Sequence, residues 1–199
     1  MSLSYSSSIG YMDSLSIYVD RAKSSCEMLT DATLLSYFSW DTGSLTDNSP
    51  NQMHAWTSGT PSIGPGYKNQ GLILDSADSY LTVYAYSILA FQNQPYSISI
   101  WIRPTAWGGT IIHTSTQQAG DGICCHVLGL TAKGYPSTMI FTTDASVTFL
   151  TANTTSLPLD QWSHVVQTFS PKNGRKYPTR VWNTFGTIRS CLFSIILIL

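Results

Sequence analysis

The sequence predicts an all-β fold, a two-sheet antiparallel β-sandwich, on three observations. From Thr33 onward, short apolar runs recur at regular spacing, separated by clusters of Gly, Pro, Asn and Asp. Glutamate occurs once, at Glu27, and lysine five times, so the residues that normally coat helix surfaces are scarce. No segment carries a sustained 3.6-residue apolar stripe. Residues 96–103 alternate strictly instead, with Ile98, Ile100 and Ile102 on one face and Ser97, Ser99 and Trp101 on the other. That pattern marks a strand with one face in a core. Trp101 then needs a cover from a loop, or else it is an exposed aromatic.

Taken in order, residues 1–30 are rich in Ser and Tyr without a sustained period and read as a linker or the tail of a preceding segment. Strands are expected at 34–40, 53–57, 71–74, 80–84, 96–103, 110–114, 126–131, 138–143, 147–151 and 162–169. The text between them, such as DTGSLTDNSPNQ, PSIGPG, PTAWGG and QQAGDG, is turn chemistry: Gly for positive φ, Pro and Asn to stop a ladder. The domain is placed at 31–174. Beyond it, 175–199 is basic and then apolar, an atypical tail of the kind a frameshift or an alternative exon produces. Its last nine residues, CLFSIILIL, are too few to span a membrane, which takes about 20. No membrane insertion is expected.

Composition narrows the function classes. Apolar residues make up 43% of the 199-residue chain, enough for a sizeable core, and charged residues only 11%. The usual charged share is about 25%. Ser, Thr, Tyr and Trp fill the difference, as is common in secreted all-β proteins. A net charge of −1 and the absence of a Lys/Arg run leave no electrostatic footprint for nucleic acid. The N-terminal stretch has neither a basic nor an apolar region of the kind a signal peptide needs. Cys26, Cys124, Cys125 and Cys191 are too few and too irregular for a disulfide framework, and the sequence leaves a pairing with Cys26 and free buried thiols equally open.

Several residues are candidates for binding. Trp56, Trp101 and Trp107, with Tyr80, Tyr84 and Tyr86, supply the flat faces on which a sugar ring stacks; core packing is the competing role. Trp107, in the Gly-rich PTAWGG loop, is the one most expected at the surface. Asp47, Asn48 and Asn51 make an oxygen-rich loop whose Asx side chains are expected to satisfy their own backbone. His113, Cys124, Cys125 and His126 are zinc-type ligands in a spacing that matches no zinc module. Asn153-Thr154-Thr155 is a glycosylation sequon.

The order of phrases carries a resemblance. LLSYFSWD is followed by Asp47-Asn48-Ser49-Pro50-Asn51, then by a strand entered between Gly66 and Leu72, LDSADSYLTV, PYSISIWIRP, IIHTS and LPLDQWSHVVQTF. Over residues 34–174 this resembles the laminin-G-like jelly-roll domains of the concanavalin A-like lectin/glucanase superfamily, in their divergent extracellular form. The resemblance implies a jelly-roll sandwich lacking its last strands, because Asn173-Gly174 is not followed by the usual closing strand. It implies an extracellular recognition module, part of a longer secreted or membrane-anchored protein, with a glycan or an extracellular protein as partner. A structural spacer in an adhesion or matrix protein is the alternative. Calcium is implied at Asp121, in the loop QQAGDG, since domains of this family hold the ion through carboxylate and backbone oxygens; the competing role, which the Asp121-Gly122 pair favours, is a simple turn. The glucanases of the superfamily act through E-x-D-x-x-E, with the two working carboxylates about 5 Å apart. One glutamate cannot build that motif, and Asp75 with Asp78 lacks a third group. A noncatalytic protein is expected.

Overall fold

A computed structural model describes residues 2–4, 9–19, 34–76, 79–83, 96–115, 124–141, 147–152, 155–170 and 175–182. Among them the chain is all β and forms two main sheets. One sheet has the order β1 (Ser2–Ser4), β9 (Gly109–Ser115), β10 (Cys124–Leu130), β11 (Pro136–Phe141), β12 (Val147–Thr151). The other has seven strands. It runs β14 (Arg175–Trp182), β13 (Ser163–Ser170), β8 (Tyr96–Pro104), β2 (Ile9–Val19), β6 (Gln70–Ile73), β5 (Ser62–Pro65), with β3 (Leu34–Phe38) on the other half of the β2 edge. A two-stranded ribbon joins β4 (Ala55–Ser58) to β7 (Tyr80–Val83).

The core lies between the sheets. Ile98, Ile100 and Ile102 of β8 are fully buried, beside Val165 of β13 and opposite Ile112 and Leu128 of the five-stranded sheet. Each such side chain contributes about 2 kcal/mol on burial. Hydroxyls and amides enter this core too: Gln167 Nε2 donates to Thr138 Oγ1 at 3.2 Å, a hydrogen bond between β13 and β11 of the opposite sheet. The regular alternation of residues 96–103 is therefore the signature of the sheet's inner face.

All ten strands expected from the sequence are present, most with ends shifted by one or two residues. The first of them stops at Phe38 instead of Trp40, because Trp40 takes a left-handed φ of 56° and turns the chain. The Gly43 amide closes that turn on the Trp40 carbonyl at 2.8 Å.

Two stretches behave differently from the expectation. Within residues 1–30, read as a linker, Ile9–Val19 forms β2, an interior strand of the seven-stranded sheet. Its pattern is hidden by a bulge: Met12 pairs with Ile102 and Leu15 with Ile100, so Asp13 and Ser14 together oppose Trp101. A two-for-one mismatch breaks period-2 counting at that point. Within 175–199, read as foreign, Arg175–Trp182 pairs with β13 as β14. A further strand, β5, lies in PSIGPG; Gly64 and Pro65 are tolerated there because it is an edge strand.

Gly71 explains how β6 approaches β2 so closely. A Cβ at Gly71 would fall 2.5 Å from the Met12 carbonyl oxygen, and backbone cannot step aside.

Candidate functional site

The two tryptophan phrases of the sequence are hydrogen-bonded neighbours. In the β8–β13 ladder, Trp101 pairs with His164 and Ile102 with Ser163. The turn before β13 is fastened to the end of β8: the Asp160 amide donates to the Pro104 carbonyl at 2.8 Å, and the Asp160 carboxylate lies 3.9 Å from the Arg103 guanidinium. Residues some sixty positions apart are thereby brought to the outer face of the seven-stranded sheet.

On that face three rings form a ladder. His164 stacks on Trp101 with centroids 4.9 Å apart, and Tyr67 stacks on Trp101 at 3.9 Å and 7°. Trp162 meets Tyr67 edge-on at 6.5 Å. Ser99 Oγ and His164 Nε2 share a 2.7 Å hydrogen bond that anchors the inner rung to the sheet. Burial pushes the His164 imidazole down to a pKa of about 4, so it is neutral at physiological pH. Tyr67 comes from the β5–β6 turn, which is closed by a 3.1 Å bond from the Gly66 amide to the Asn69 carbonyl and by Asn69 in a left-handed φ of 63°. This turn is the cover that Trp101 requires. It leaves Tyr67 as the outermost rung, 46% exposed.

Beside the ladder runs a groove of about 200 Å³. Tyr37, Ser39 and Asp41 line it from β3 and the turn that follows. Lys68 and Asn69 line it from the β5–β6 turn, next to Tyr67 and Trp101. Between Tyr37 and Ser99, the position in the sheet belongs to Ser16 of β2, paired to both. Aromatic walls with hydroxyl, amide, carboxylate and ammonium groups on the rim are the makings of a polar-ligand site.

The three tryptophans singled out from the sequence lie on separate elements, and among the described residues no ring contact joins any two of them. Trp101 has Tyr67 against it and His164 beside it, so its ring supports the platform instead of presenting it. Trp107 is 44% exposed, yet its Nε1 donates to the Leu157 carbonyl at 2.8 Å and its indole lies over Gly134, tying three loops together. Trp56 stands 64% exposed on β4, opposite Thr82. Tyr80 is half-buried at the start of β7, and Tyr84 and Tyr86 lie outside the described residues, as do Asp121, Asp78, Glu27 and Asn153.

Tyr67 was not singled out by sequence reasoning. Its loop, GPGYKNQ, signals only a turn, and nothing local announces a ring that reaches across the sheet to a residue 34 positions later.

Asp47 is a loop staple. Its buried carboxylate accepts from the backbone amides of Tyr37, Ser49 and Met53 at 2.7–2.8 Å and from the Ser49 hydroxyl at 2.8 Å. Asn51 Nδ2 adds bonds to the carbonyls of Leu34 and Leu35. Four donors saturate the carboxylate, and the D-x-S-P-N phrase clamps β3.

His113 and His126 sit directly opposite each other in the β9–β10 ladder. The His126 ring, however, is folded over Gly129, with Nδ1 2.8 Å from Thr110 Oγ1 and Nε2 3.5 Å from Ser137 Oγ. Among the described residues no three His, Cys, Asp or Glu side chains are grouped to hold a metal ion. Nor is any helix there long and apolar enough to cross a membrane.

Residues 75–178, just over half of the chain, match the concanavalin A-like lectin/glucanases superfamily, in its laminin-G type. Neither the curated proteins nor the solved structures contain a match to the chain.

Proposed function

The chain belongs to the laminin-G type of the concanavalin A-like lectin/glucanase superfamily, and on that premise we propose that it is a noncatalytic, extracellular recognition module that binds carbohydrate on the outer face of its seven-stranded sheet. The family supports recognition in general; the observation that carries the carbohydrate reading is Tyr67. An exposed ring, stacked on Trp101, which His164 in turn supports, and bordered by Asp41, Lys68 and Asn69, suits a pyranose. The sugar's C–H face meets the phenol ring and its hydroxyls meet the rim. The rigid ladder lowers the ordering cost of binding, since the rings are already stacked before a ligand arrives.

No part of this reading needs a metal. Calcium at Asp121 is a separate proposal of the family resemblance, and chelation of divalent ions distinguishes the two.

Glycan-array binding of the full chain, compared with Tyr67→Ala and Tyr67→Phe, tests the site. Tyr67→Ala is expected to weaken binding about tenfold or more, equivalent to about 1.4 kcal/mol, whereas Tyr67→Phe keeps the ring and the affinity. Binding to no glycan, or only to a protein ligand, overturns the carbohydrate reading and leaves a structural spacer as the better account.

A further inference from the structure

The polar rim of the groove discriminates between classes of glycan. Among the described residues that line it, Asp41 is the one carboxylate and Lys68 the one ammonium, with Ser39 and Asn69 between them in character. Asp41 only accepts hydrogen bonds and Lys68 only donates them. A sugar hydroxyl does both, so a ring bearing several hydroxyls satisfies the two ends of the rim together. A sulfate or carboxylate can accept from the donors of the rim, Lys68, Asn69 and Ser39, but it gives Asp41 nothing to accept and brings a like charge against it. Among the described residues no second cation lines this groove to offset that repulsion, and the chain's net charge of −1 supplies no long-range attraction for a polyanion.

Resting on the carbohydrate reading above, we infer that the Tyr67 platform selects uncharged pyranoses and rejects sulfated and uronic-acid chains, with Asp41 as the specificity-determining residue. The apolar half of the contact is the ring face of Tyr67; the polar half is hydroxyl exchange with Asp41, Asn69 and Lys68. Attraction of this kind depends little on ionic strength, because no net charge is neutralised on binding.

The test titrates the full chain with lactose, maltotriose and chitotriose as neutral probes and with heparin and polygalacturonate as charged ones, at about 0.05 M and about 0.5 M salt. At least one neutral probe is expected to bind, with affinity changing less than about twofold between the two salts and falling about tenfold or more in Tyr67→Ala. Asp41→Lys is expected to weaken that neutral binding and to admit heparin, with Tyr67→Phe as the control for an intact fold. Heparin or polygalacturonate binding to the unaltered chain, abolished in Tyr67→Ala, overturns the selectivity while leaving the glycan site standing. Binding of neither set, or neutral binding indifferent to Tyr67→Ala, overturns both.

Discussion

At the scale of single residues, Asp47 shows how one side chain decides a loop. Its carboxylate is the acceptor for three backbone amides and one hydroxyl, one amide on β3 and the other donors in the loop, which would otherwise be left unpaired. Asp47→Ala removes every acceptor at once and leaves those amides without partners. Each buried orphan costs about 1–3 kcal/mol, so a loss of at least about 3 kcal/mol is expected. Urea denaturation followed by tryptophan fluorescence measures it, and a loss below about 1 kcal/mol would refute the assignment. The sequence already favoured this role, because an Asx residue in a long polar turn usually serves its own backbone. Tyr67 stands at the opposite extreme. Its partners, Trp101 on β8 and Trp162 just before β13, lie far along the chain, and a tyrosine in a Gly-Pro-Gly turn carries no local mark of a stacked ring.

At the scale of elements, the β8–β13 ladder carries both core and platform. Its inner face was legible from the alternation of Ile98, Ile100 and Ile102, and so was the need of Trp101 for a cover. The identity of the cover was not, because it depends on where the β5–β6 turn ends up. His164 makes this ladder sensitive to acid. Its pKa falls from 6.5 when unfolded to about 4 when folded, through burial. The folded state therefore binds fewer protons than the unfolded one between those values. The ladder's contribution is fully present above pH about 6.5 and is lost progressively as pH falls through about 4, a difference on the order of 3 kcal/mol. His126 is shifted in the same direction, first by burial and then by the charge of His113, and adds to the slope. Stability measured across that range in the unaltered chain and in His164→Gln checks the sign. The variant should show a shallower decline on acidification, and an equal slope would remove His164 from the account.

At the scale of the whole molecule, the boundaries matter most. A unit of 31–174, taken from the change in texture of the sequence, lacks β1, β2 and β14. In the structure β2 separates β8 from β3 and β6, so its removal opens the middle of the seven-stranded sheet, and loss of β14 uncovers the edge of β13. Unpaired edges template aggregation. The 31–174 fragment is expected to show no cooperative thermal transition, whereas the full chain melts cooperatively. Calorimetry of the two settles the matter, and a cooperative melt from the fragment would show that β2 is dispensable.

What the sequence by itself determined is everything that repeats locally. The all-β class, ten of the strands, the inner face of β8 and the clamp at Asp47 follow from period-2 alternation, turn chemistry and the scarcity of helix-surface residues. These signals lie within a few residues of the feature they predict. Only the tertiary structure decided the rest. It threaded β2 through the sheet by a bulge at Asp13 and Ser14 that cancels its own alternation. It set His113 against His126 and then folded the His126 ring over Gly129. It carried Tyr67 onto Trp101 and left Trp107 bonded to Leu157. Pairing between strands is a nonlocal choice, made by packing and by backbone hydrogen bonds between distant segments, and a binding face assembled from four such segments has no counterpart in any stretch of sequence.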